Sequence, residues 1–395
     1  IAQDIEVVMD GGAYSTLSPV VLSRGVLHAG GPYECPNVHI RGRSMATNTP
    51  PNGAFRGFGA PQVGFAHEIQ LSRIADELGV SPAELRRRWI YREGGTTPSG
   101  QVLRESVAAE EVLREATEAA DYEGVLEVSR QTRAVRWGQA QEAGASFNST
   151  RVRTASGIGI AMGWHGAGFT GSGEQKMGRT AGVELGADGV IRLLIANTEI
   201  GQGTNTVMPM IVADVLGVEP DEVELAPIDT SIVPNSGPTV ASRTVMVVGG
   251  MVSKAAARLR ALVEERSGGD FADVYKADAA ANGATRIDQD FESEVEVEFD
   301  DETYTGDAYP AFGWACAVAN VDVDLATGEV RVRSVVSADD AGRVIHPLLA
   351  EGQIEGGTLQ SVGYGTIEEI KVQDGRYLND RLATYLIPTS LDAPD

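Results

Sequence analysis

Cysteine is nearly absent from this 395-residue chain, which contains only Cys35 and Cys316. An iron–sulfur cluster needs about four thiolate ligands, so the chain is expected to house no such cluster. Two cysteines so far apart make no disulfide framework either, and reduced, structural cysteines in a cytoplasmic protein are the default interpretation. The five histidines are scattered without metal-site spacing, so no set of protein ligands for a metal ion is predicted.

Basic residues are also few, with 32 lysines and arginines against 56 acidic residues and a net charge of −24. Nucleic-acid binding depends on clustered positive charge, so this balance argues against DNA or RNA as a partner. No apolar run approaches the ~20 residues that cross a bilayer, so no membrane span is predicted. A chain of this length can bury two sizeable cores, which predicts more than one domain.

The most informative stretch is 49–78, where a Pro-Pro entry and a glycine-rich turn lead into an amphipathic helix. Gly57 and Gly59 carry no β-carbon, so backbone N–H groups at the helix start are open to an anionic or acceptor-rich ligand. Arg56 adds a fork of donors beside Phe58. The dinucleotide fingerprint G-x-G-x-x-G is not met, and a tight connection without function is the alternative interpretation of the turn.

Four motifs resemble, in the same order, those of the molybdenum-binding subunit of the xanthine dehydrogenase and aldehyde oxidase family. They are GAFRGFGAPQ (53–62), TEIGQGTNT (198–206), PNSGPTVAS (234–242), and DDAGRVIHP followed by EGQIEGG (339–357). The resemblance implies an α+β fold with two elongated mixed α/β molybdopterin-binding domains. A polar, weakly patterned stretch that ends near residue 156 supplies the boundary, so the domains are placed at 1–150 and 151–395.

The resemblance also implies roles for the residues at matching positions. Contacts to a molybdopterin cofactor fall on Arg56, Gly57, Phe58, Gly59, Gly201, Gln202, Gly203, Thr239, Val240, Ala241, Ser242 and Gln353. Arg24 falls on a substrate-facing arginine of the purine-oxidising branch and would stabilise negative charge on a heterocycle, while Arg56 falls beside the metal centre. These two arginines are the catalytic candidates. Phe58 and Phe169 fall on the two phenylalanines that stack on the substrate ring, with Trp164 as the alternative to Phe169.

Two Gly-Gln turns stand before predicted helices, at Gln202 and Gln353, and look like corresponding positions of a pseudo-repeat. Gln202 is expected at a helix N-terminus with its amide free to donate and to accept hydrogen bonds. The residues that follow Gly12, including Arg24 and His28, are predicted to form a loop as far as the Pro-Asn at 36–37, and a short strand around 38–46 leads into the central turn.

The function implied is hydroxylation of a purine such as xanthine or hypoxanthine, with oxygen from water and electrons passed to [2Fe-2S] and FAD partners. An aldehyde or another N-heterocycle such as nicotinate is the alternative substrate, and a non-catalytic cofactor-binding or assembly module is a third hypothesis. The resemblance implies that the metal is held through the pterin dithiolene, and it leaves open whether the cofactor carries a cytosine dinucleotide extension. We expect a hetero-oligomer that dimerises and includes iron–sulfur and FAD subunits.

One departure from the family concerns the catalytic glutamate. In the family this general base lies in a G-x-K-G-x-G-E segment, and this sequence contains no such segment. We therefore expect an internal piece of the subunit that does not turn over alone.

Overall fold

The computed structural model describes residues 2–104, 106–131, 154–177, 179–293 and 298–394. The helices are α1 (Ser18–His28), α2 (Ala60–Leu78), α3 (Pro82–Trp89), α4 (Ala109–Ala119), α5 (helical over 122–131), α6 (Gly173–Met177), α7 (Thr204–Leu216), α8 (Gly249–Ser267), α9 (Phe271–Asn282) and α10 (Pro347–Thr366). The strands are β1 (Gln3–Gly12), β2 (Val38–Ala46), β3 (Thr154–Gly166), β4 (Thr180–Leu185), β5 (Ile191–Leu194), β6 (Val223–Leu225), β7 (Thr285–Asp290), β8 (Phe299–Asp300), β9 (Thr305–Gly306), β10 (Phe312–Asp324), β11 (Val330–Asp340), β12 (Val372–Gln373) and β13 (Arg376–Tyr377).

Internal contacts divide the chain into two compact units. Unit 1 consists of Ile1–His165, Phe312–Gly342 and Gly352–Asp395, and unit 2 of Gly166–Ala311 and Arg343–Glu351. The predicted domains 1–150 and 151–395 stay a prediction, because they divide the chain by sequence order whereas the units group residues by contact. Most of the predicted boundary stretch falls on 132–153, outside the described residues.

In unit 1, α1 connects two parallel strands, β1 and β2. Parallel neighbours need a crossover connection, which a helix supplies here. A second sheet has the order β11-β10-β3, and its strands β10 and β11 are the antiparallel arms of a hairpin. Asp324 shapes the hairpin turn, since its Oδ1 accepts hydrogen bonds from the N–H groups of Ala326 and Thr327 at 2.8 and 3.1 Å.

The core of unit 1 is rich in aromatic side chains. Trp314 is 2% exposed, and its indole N–H donates to the carbonyl of Ser106 at 2.7 Å. The ring of Trp164 stacks on Phe312 with centroids 4.7 Å apart and lies 5.4 Å from that of Tyr91. Each such ring removes a large apolar area from water, so this cluster holds the β3–β10 sheet against the helices of the unit.

Unit 2 is a four-stranded sheet of order β6-β5-β4-β7, against which α7 and α8 pack. Strands β4 and β5 are antiparallel, as their short glycine-containing turn predicts. The side chains of Val183, Leu185, Ile191 and Leu193 are fully buried in the core between sheet and helices. Burial of one such side chain contributes about 1.5–3 kcal/mol, so this layer contributes substantially to the stability of the unit.

Local helix signals succeed at one place in unit 1 and fail at another. Helix α3 begins where Ser81 and Pro82 favour a helix start, and the Ser81 hydroxyl accepts a hydrogen bond from the N–H of Ala83. The predicted loop around Arg24 is wrong, because these residues form α1 with Pro19 in its first turn. Gly25 lowers the helical propensity of the segment, and burial of the helix against the unit overrides that local preference.

Helix α2 has the predicted position but an unusual environment. The apolar residues that predict the helix are largely exposed, with Phe65 at 69% and Leu78 at 62%. Its buried residues are Glu68 and Ala75. The helix is therefore attached to unit 1 with little apolar burial of its own.

Candidate functional site

The turn before α2 is strained. Gly57, Phe58 and Gly59 have φ angles of 92°, 51° and 95°, three successive residues in the left-handed region. An added β-carbon would lie 2.6 Å from Pro61 at Gly57 and 2.4 Å from the carbonyl of Val21 at Gly59, so both positions require glycine. A phenylalanine at positive φ costs about 1–3 kcal/mol, and such strain is typical of functional turns.

Strain recurs in the second predicted cofactor segment. Ala241 and Ser242 in unit 2 have φ angles of 60° and 52°. Of the eight non-glycine residues with positive φ in the described part of the chain, three are therefore predicted cofactor residues. This coincidence supports the choice of these turns as sites.

Two predicted cofactor residues of unit 1, Arg56 and Gln353, meet although they lie 297 positions apart. The predicted turn before a helix at Gln353 is wrong, because α10 already begins at Pro347 and contains Gln353. The Arg56 guanidinium donates through Nη2 to the carbonyl oxygen of Gln353 at 3.0 Å and to its side-chain Oε1 at 3.3 Å. An added β-carbon at Gly357 would lie 3.5 Å from the guanidinium carbon. These three residues line a cavity of about 590 Å³ whose other wall is the apolar face of β10 and β11. The cavity thus combines a cation, an amide, the Asp339 carboxylate and apolar surface.

Arg24 is tied to the same turn through a histidine that the sequence analysis missed. The Arg24 side chain is 4% exposed, and its Nη1 lies 3.3 Å from both ring nitrogens of His165. His165 Nε2 in turn lies 3.4 Å from the carbonyl oxygen of Gly57. The structure therefore brings Arg24 and the glycine turn together. His165 has no sequence signal of its own, since it lies near the end of a strand in a glycine-rich stretch.

A second histidine supports this arrangement. The ring of His28 stacks on that of His165 with centroids 5.3 Å apart, and its Nδ1 lies 2.7 Å from the carbonyl oxygen of Arg24. Burial lowers the pKa of His28 to about 3, the nearby His165 acts in the same direction, and the hydrogen bond to the Arg24 carbonyl opposes the shift. His28 is therefore neutral at physiological pH and adds no charge beside Arg24.

The helix start at Gln202 in unit 2 differs from the expectation. The Gln202 amide nitrogen donates to the carbonyl of Thr198 at 2.8 Å and to the Thr204 hydroxyl at 2.7 Å, and its oxygen accepts from the N–H of Ile200 at 2.7 Å. The prediction of a free amide is wrong. Short-range partners within the turn satisfy the side chain, a competition typical of polar residues at helix starts.

Glu199 occupies the position at this turn that an anion would take. Its carboxylate accepts hydrogen bonds from the N–H groups of Gly201, Gly203 and Asn205 at 2.8, 3.0 and 2.9 Å. The bond from Asn205 is the largest cause of a pKa lowered below its usual value, and the bonds from Gly203 and Gly201 add to it. A carboxylate ahead of a helix start was the signal that the sequence analysis passed over.

The segment 239–242 is held by its neighbours in unit 2. The hydroxyl of Thr239 accepts from the N–H of Thr198 at 2.9 Å, and the carbonyl of Ala241 accepts from the N–H of Gly168 at 2.9 Å. Val240 is 38% exposed. The Val240 side chain is thus partly exposed to solvent, while the hydrogen bonds at Thr239 and Ala241 fix the segment on either side of it.

Phe169 lies in the loop that this segment contacts. Its N–H donates to Glu174 Oε1 at 3.4 Å, and its ring is half-buried. The alternative candidate, Trp164, is 7% exposed in the core of unit 1. The environment of Trp164 is that of a packing residue.

Comparison with known proteins assigns the chain to a family. A family model described as a molybdopterin cofactor-binding domain matches residues 130–394, and a second model of the same description matches residues 1–90. The chain belongs to this family. The two molybdopterin-binding domain matches agree with the four motifs that carry the resemblance to xanthine dehydrogenases and aldehyde oxidases.

Individual relatives agree with the assignment. The chain is 31% identical over 415 residues to a probable xanthine dehydrogenase subunit of Bacillus subtilis (strain 168), covering 100% of this chain and 52% of the relative. Among solved structures, aldehyde oxidoreductase from Desulfovibrio gigas is 28% identical with a TM-score of 0.83, covering 99% of this chain and 41% of that one. Quinoline 2-oxidoreductase from Pseudomonas putida 86 is 25% identical with a TM-score of 0.82, covering 99% and 51%. The predicted α+β fold class of molybdenum hydroxylases is confirmed, and the chain spans about half or less of each of these proteins.

The residues of unit 1 fit the molybdopterin that this family binds. An anionic, acceptor-rich cofactor needs a cation, amide donors and a close backbone approach, and Arg56, Gln353 and Gly57 supply these. In unit 2, Gly201 has open space where a β-carbon would stand. The N–H groups that Glu199 accepts from and the Gln202 amide are already engaged within the turn, so the open side of Gly201 is the part of this turn left for a ligand.

Neither a protein-ligated metal site nor a membrane span is present in the described part of the chain. Among its residues, no group of three or more His, Cys, Asp or Glu side chains could hold a metal ion. Over the same ranges, no helix has the length and apolar character that crossing a bilayer requires.

Proposed function

We propose that this chain is the molybdopterin-binding part of a molybdenum hydroxylase that hydroxylates a purine such as xanthine or hypoxanthine with oxygen from water. One observation carries the proposal. Arg56 and Gln353, from two motifs far apart in sequence, meet at one cavity beside a strained glycine turn. A structural turn alone needs neither the strain nor the exposed guanidinium.

Each residue of the site has a role in this proposal. Bound molybdopterin would supply the redox chemistry and pass electrons to [2Fe-2S] and FAD partners. In unit 1, Arg56, Gly57, Gly59 and Gln353 would hold the cofactor. In unit 2 the holding residues would be Gly201, Gln202, Gly203, Thr239, Val240, Ala241 and Ser242.

The substrate roles fall on a second set of residues. Arg24 would donate hydrogen bonds to a heterocycle and stabilise negative charge as it develops on the ring. His165 would hold the Arg24 guanidinium beside the turn, and Phe58 would stack on a substrate ring. Phe169 remains the proposed second aromatic.

An aldehyde or another N-heterocycle is the second candidate substrate. Solved structures similar to this chain include an aldehyde oxidoreductase and a quinoline 2-oxidoreductase, and their names support an aldehyde or an N-heterocycle as the second candidate. Arg24 separates the two candidates, because an aldehyde needs no partner for ring charge. The domain division at 1–150 and 151–395, a cytoplasmic location and a hetero-oligomer with iron–sulfur and FAD subunits belong to the same proposal.

The test combines metal content with substrate-dependent dye reduction in the full-length natural subunit purified with its partners, since this chain alone is not expected to turn over. We expect stoichiometric molybdenum, and xanthine-dependent reduction that falls by about 10²-fold or more in Arg24→Ala. Arg41→Ala, which removes a guanidinium 57% exposed on β2, is the matched control and should leave the rate unchanged. Molybdenum without purine turnover would favour an aldehyde or another heterocycle. Absence of molybdenum would refute the proposal.

A further inference from the structure

The glycine turn at the proposed cofactor site is the N-terminal extension of α2, so whatever fixes α2 fixes the turn. Apolar burial contributes little to this, because Glu68 and Ala75 are the buried residues of the helix, Leu71 is only partly buried against the core, and Phe65 is 69% exposed. A 19-residue helix with so little apolar contact needs another attachment.

Glu68 provides that attachment. Its Oε1 accepts from the Tyr33 hydroxyl at 2.6 Å, and its Oε2 accepts from Arg86 Nε at 2.8 Å and from the N–H of Met162 at 3.0 Å. The carboxylate is thereby bonded to α3, to β3 and to the segment after α1. Such a fully bonded buried carboxylate fixes geometry strongly, because each bond constrains a different element.

Arg86 locks the other half of the network. Its side chain is 0% exposed, and it also donates to the carbonyl of Pro82 at 3.0 Å, to the carbonyl of Glu68 at 3.0 Å and to the Ser72 hydroxyl at 3.1 Å. Arg86 therefore contacts both the side chain and the backbone of α2. Sliding or rotation of α2 would break several charge-assisted bonds together.

The network connects directly to the proposed site. Met162, bonded to Glu68, lies three residues before His165 on β3, and His165 contacts both Arg24 and the carbonyl of Gly57. A shift of α2 against β3 would therefore change the distance between the turn and His165.

We infer that Glu68 is the positioning residue of the site: its hydrogen bonds to Arg86, Tyr33 and Met162 hold the turn 55–59 in register with His165 and Arg24. Glu68 touches neither cofactor nor substrate in this role. The inference rests on the proposed function only for what the turn binds. Its structural content, that the carboxylate holds the turn, is independent of any cofactor.

The test is hydrogen exchange, followed by mass spectrometry, in the purified protein. We expect Glu68→Gln to accelerate exchange in peptide 53–62 at least about tenfold, while exchange in the β4–β5 hairpin of unit 2 stays unchanged. Glu84→Gln, which alters an exposed carboxylate on α3, should leave peptide 53–62 as it is. Unchanged exchange of this peptide in a folded Glu68→Gln protein would overturn the inference.

A stability-matched variant separates positioning from general loosening. Leu113→Ala creates a cavity on α4 in the core of the same unit. The urea concentration is chosen so that the free energies of unfolding of Leu113→Ala and Glu68→Gln are equal. If Glu68 positions the turn, exchange in Glu68→Gln should accelerate more in peptide 53–62 than in the β10–β11 hairpin. In Leu113→Ala, exchange should accelerate equally in both segments. The inference would be overturned if exchange accelerated equally in the two segments in Glu68→Gln as well, because Glu68 would then act only through the stability of the unit.

Two further arms keep the test decisive. If Glu68→Gln fails to fold, Tyr33→Phe removes one bond to the carboxylate and should still accelerate exchange of peptide 53–62 severalfold, and no change would count against the inference. Molybdenum content is measured on the same samples. If exchange of peptide 53–62 accelerates in Glu68→Gln but the wild-type protein holds no molybdenum, the positioning role stands and the proposed function is refuted.

Discussion

Removal of the Glu174 carboxylate should leave a buried guanidinium in unit 2 without its charge partner. Arg243 is 0% exposed, and its Nε donates to Glu174 Oε1 and Oε2 at 2.9 and 3.0 Å. Glu174 is 8% exposed. Arg243 immediately follows Ala241 and Ser242, so the pair also anchors a proposed cofactor segment.

The expected magnitude follows from burial. Glu174→Ala should lower the free energy of unfolding by about 3–5 kcal/mol, because an uncompensated charge stays buried. The double variant Glu174→Leu, Arg243→Met removes both charges and should cost only about 1–3 kcal/mol, chiefly because the carbonyl of Ser236 loses its donor at 2.8 Å. The double variant is therefore expected to be more stable than Glu174→Ala.

Urea unfolding followed by circular dichroism measures these differences, and hydrogen exchange of the β4–β5 hairpin reports on unit 2 separately. Lys176→Met is the control on the same helix, since Lys176 is 65% exposed in its pair with Asp301 and should contribute at most about 1 kcal/mol. The reasoning fails if Glu174→Ala costs no more than Lys176→Met, or if the double variant is less stable than Glu174→Ala.

Three other predictions concern the turns and the core. The bond from the Asn205 N–H and its companions lower the folded-state pKa of Glu199 below its usual 4.5, so its stabilisation is present above that pH and is lost as the pH falls through the lowered value. Thermal midpoints between pH 7 and pH 3 should thus fall less steeply in Glu199→Gln, and an identical slope would exclude this role. Gly59→Ala should destabilise by about 1–3 kcal/mol, because its β-carbon would meet a backbone carbonyl of α1, whereas Gly64→Ala in open space on α2 should be neutral or stabilising by about 1 kcal/mol. Equal urea midpoints for the two alanine variants would contradict the steric argument. Leu193→Ala should cost about 2–5 kcal/mol in urea unfolding, and a cost below about 1 kcal/mol would mean that the unit 2 core relaxes around the cavity.

Much of the local structure could be predicted because its signals are short-range. The Ser81 cap, the glycine turn before α2 and the β10–β11 hairpin each depend on a few adjacent residues with strong preferences. Prediction failed around Arg24, where Gly25 weakens a helix that burial stabilises, and at Gln202, where Glu199 takes the helix N-terminus and nearby groups take the amide. In both cases interactions absent from a local pattern decided the outcome.

The motifs in the sequence by themselves determined the family and the segments that would form the cofactor site, because glycine positions and helix starts are encoded locally. Only the tertiary structure decided which of these segments meet. The contact between Arg56 and Gln353 spans 297 positions, and no periodicity links its partners. The same holds for Glu68 and Arg243, since charged residues are expected at the surface and only the folded chain can bury them with complementary partners. Long-range burial and pairing depend on the free energy of the whole fold, which a one-dimensional pattern does not contain.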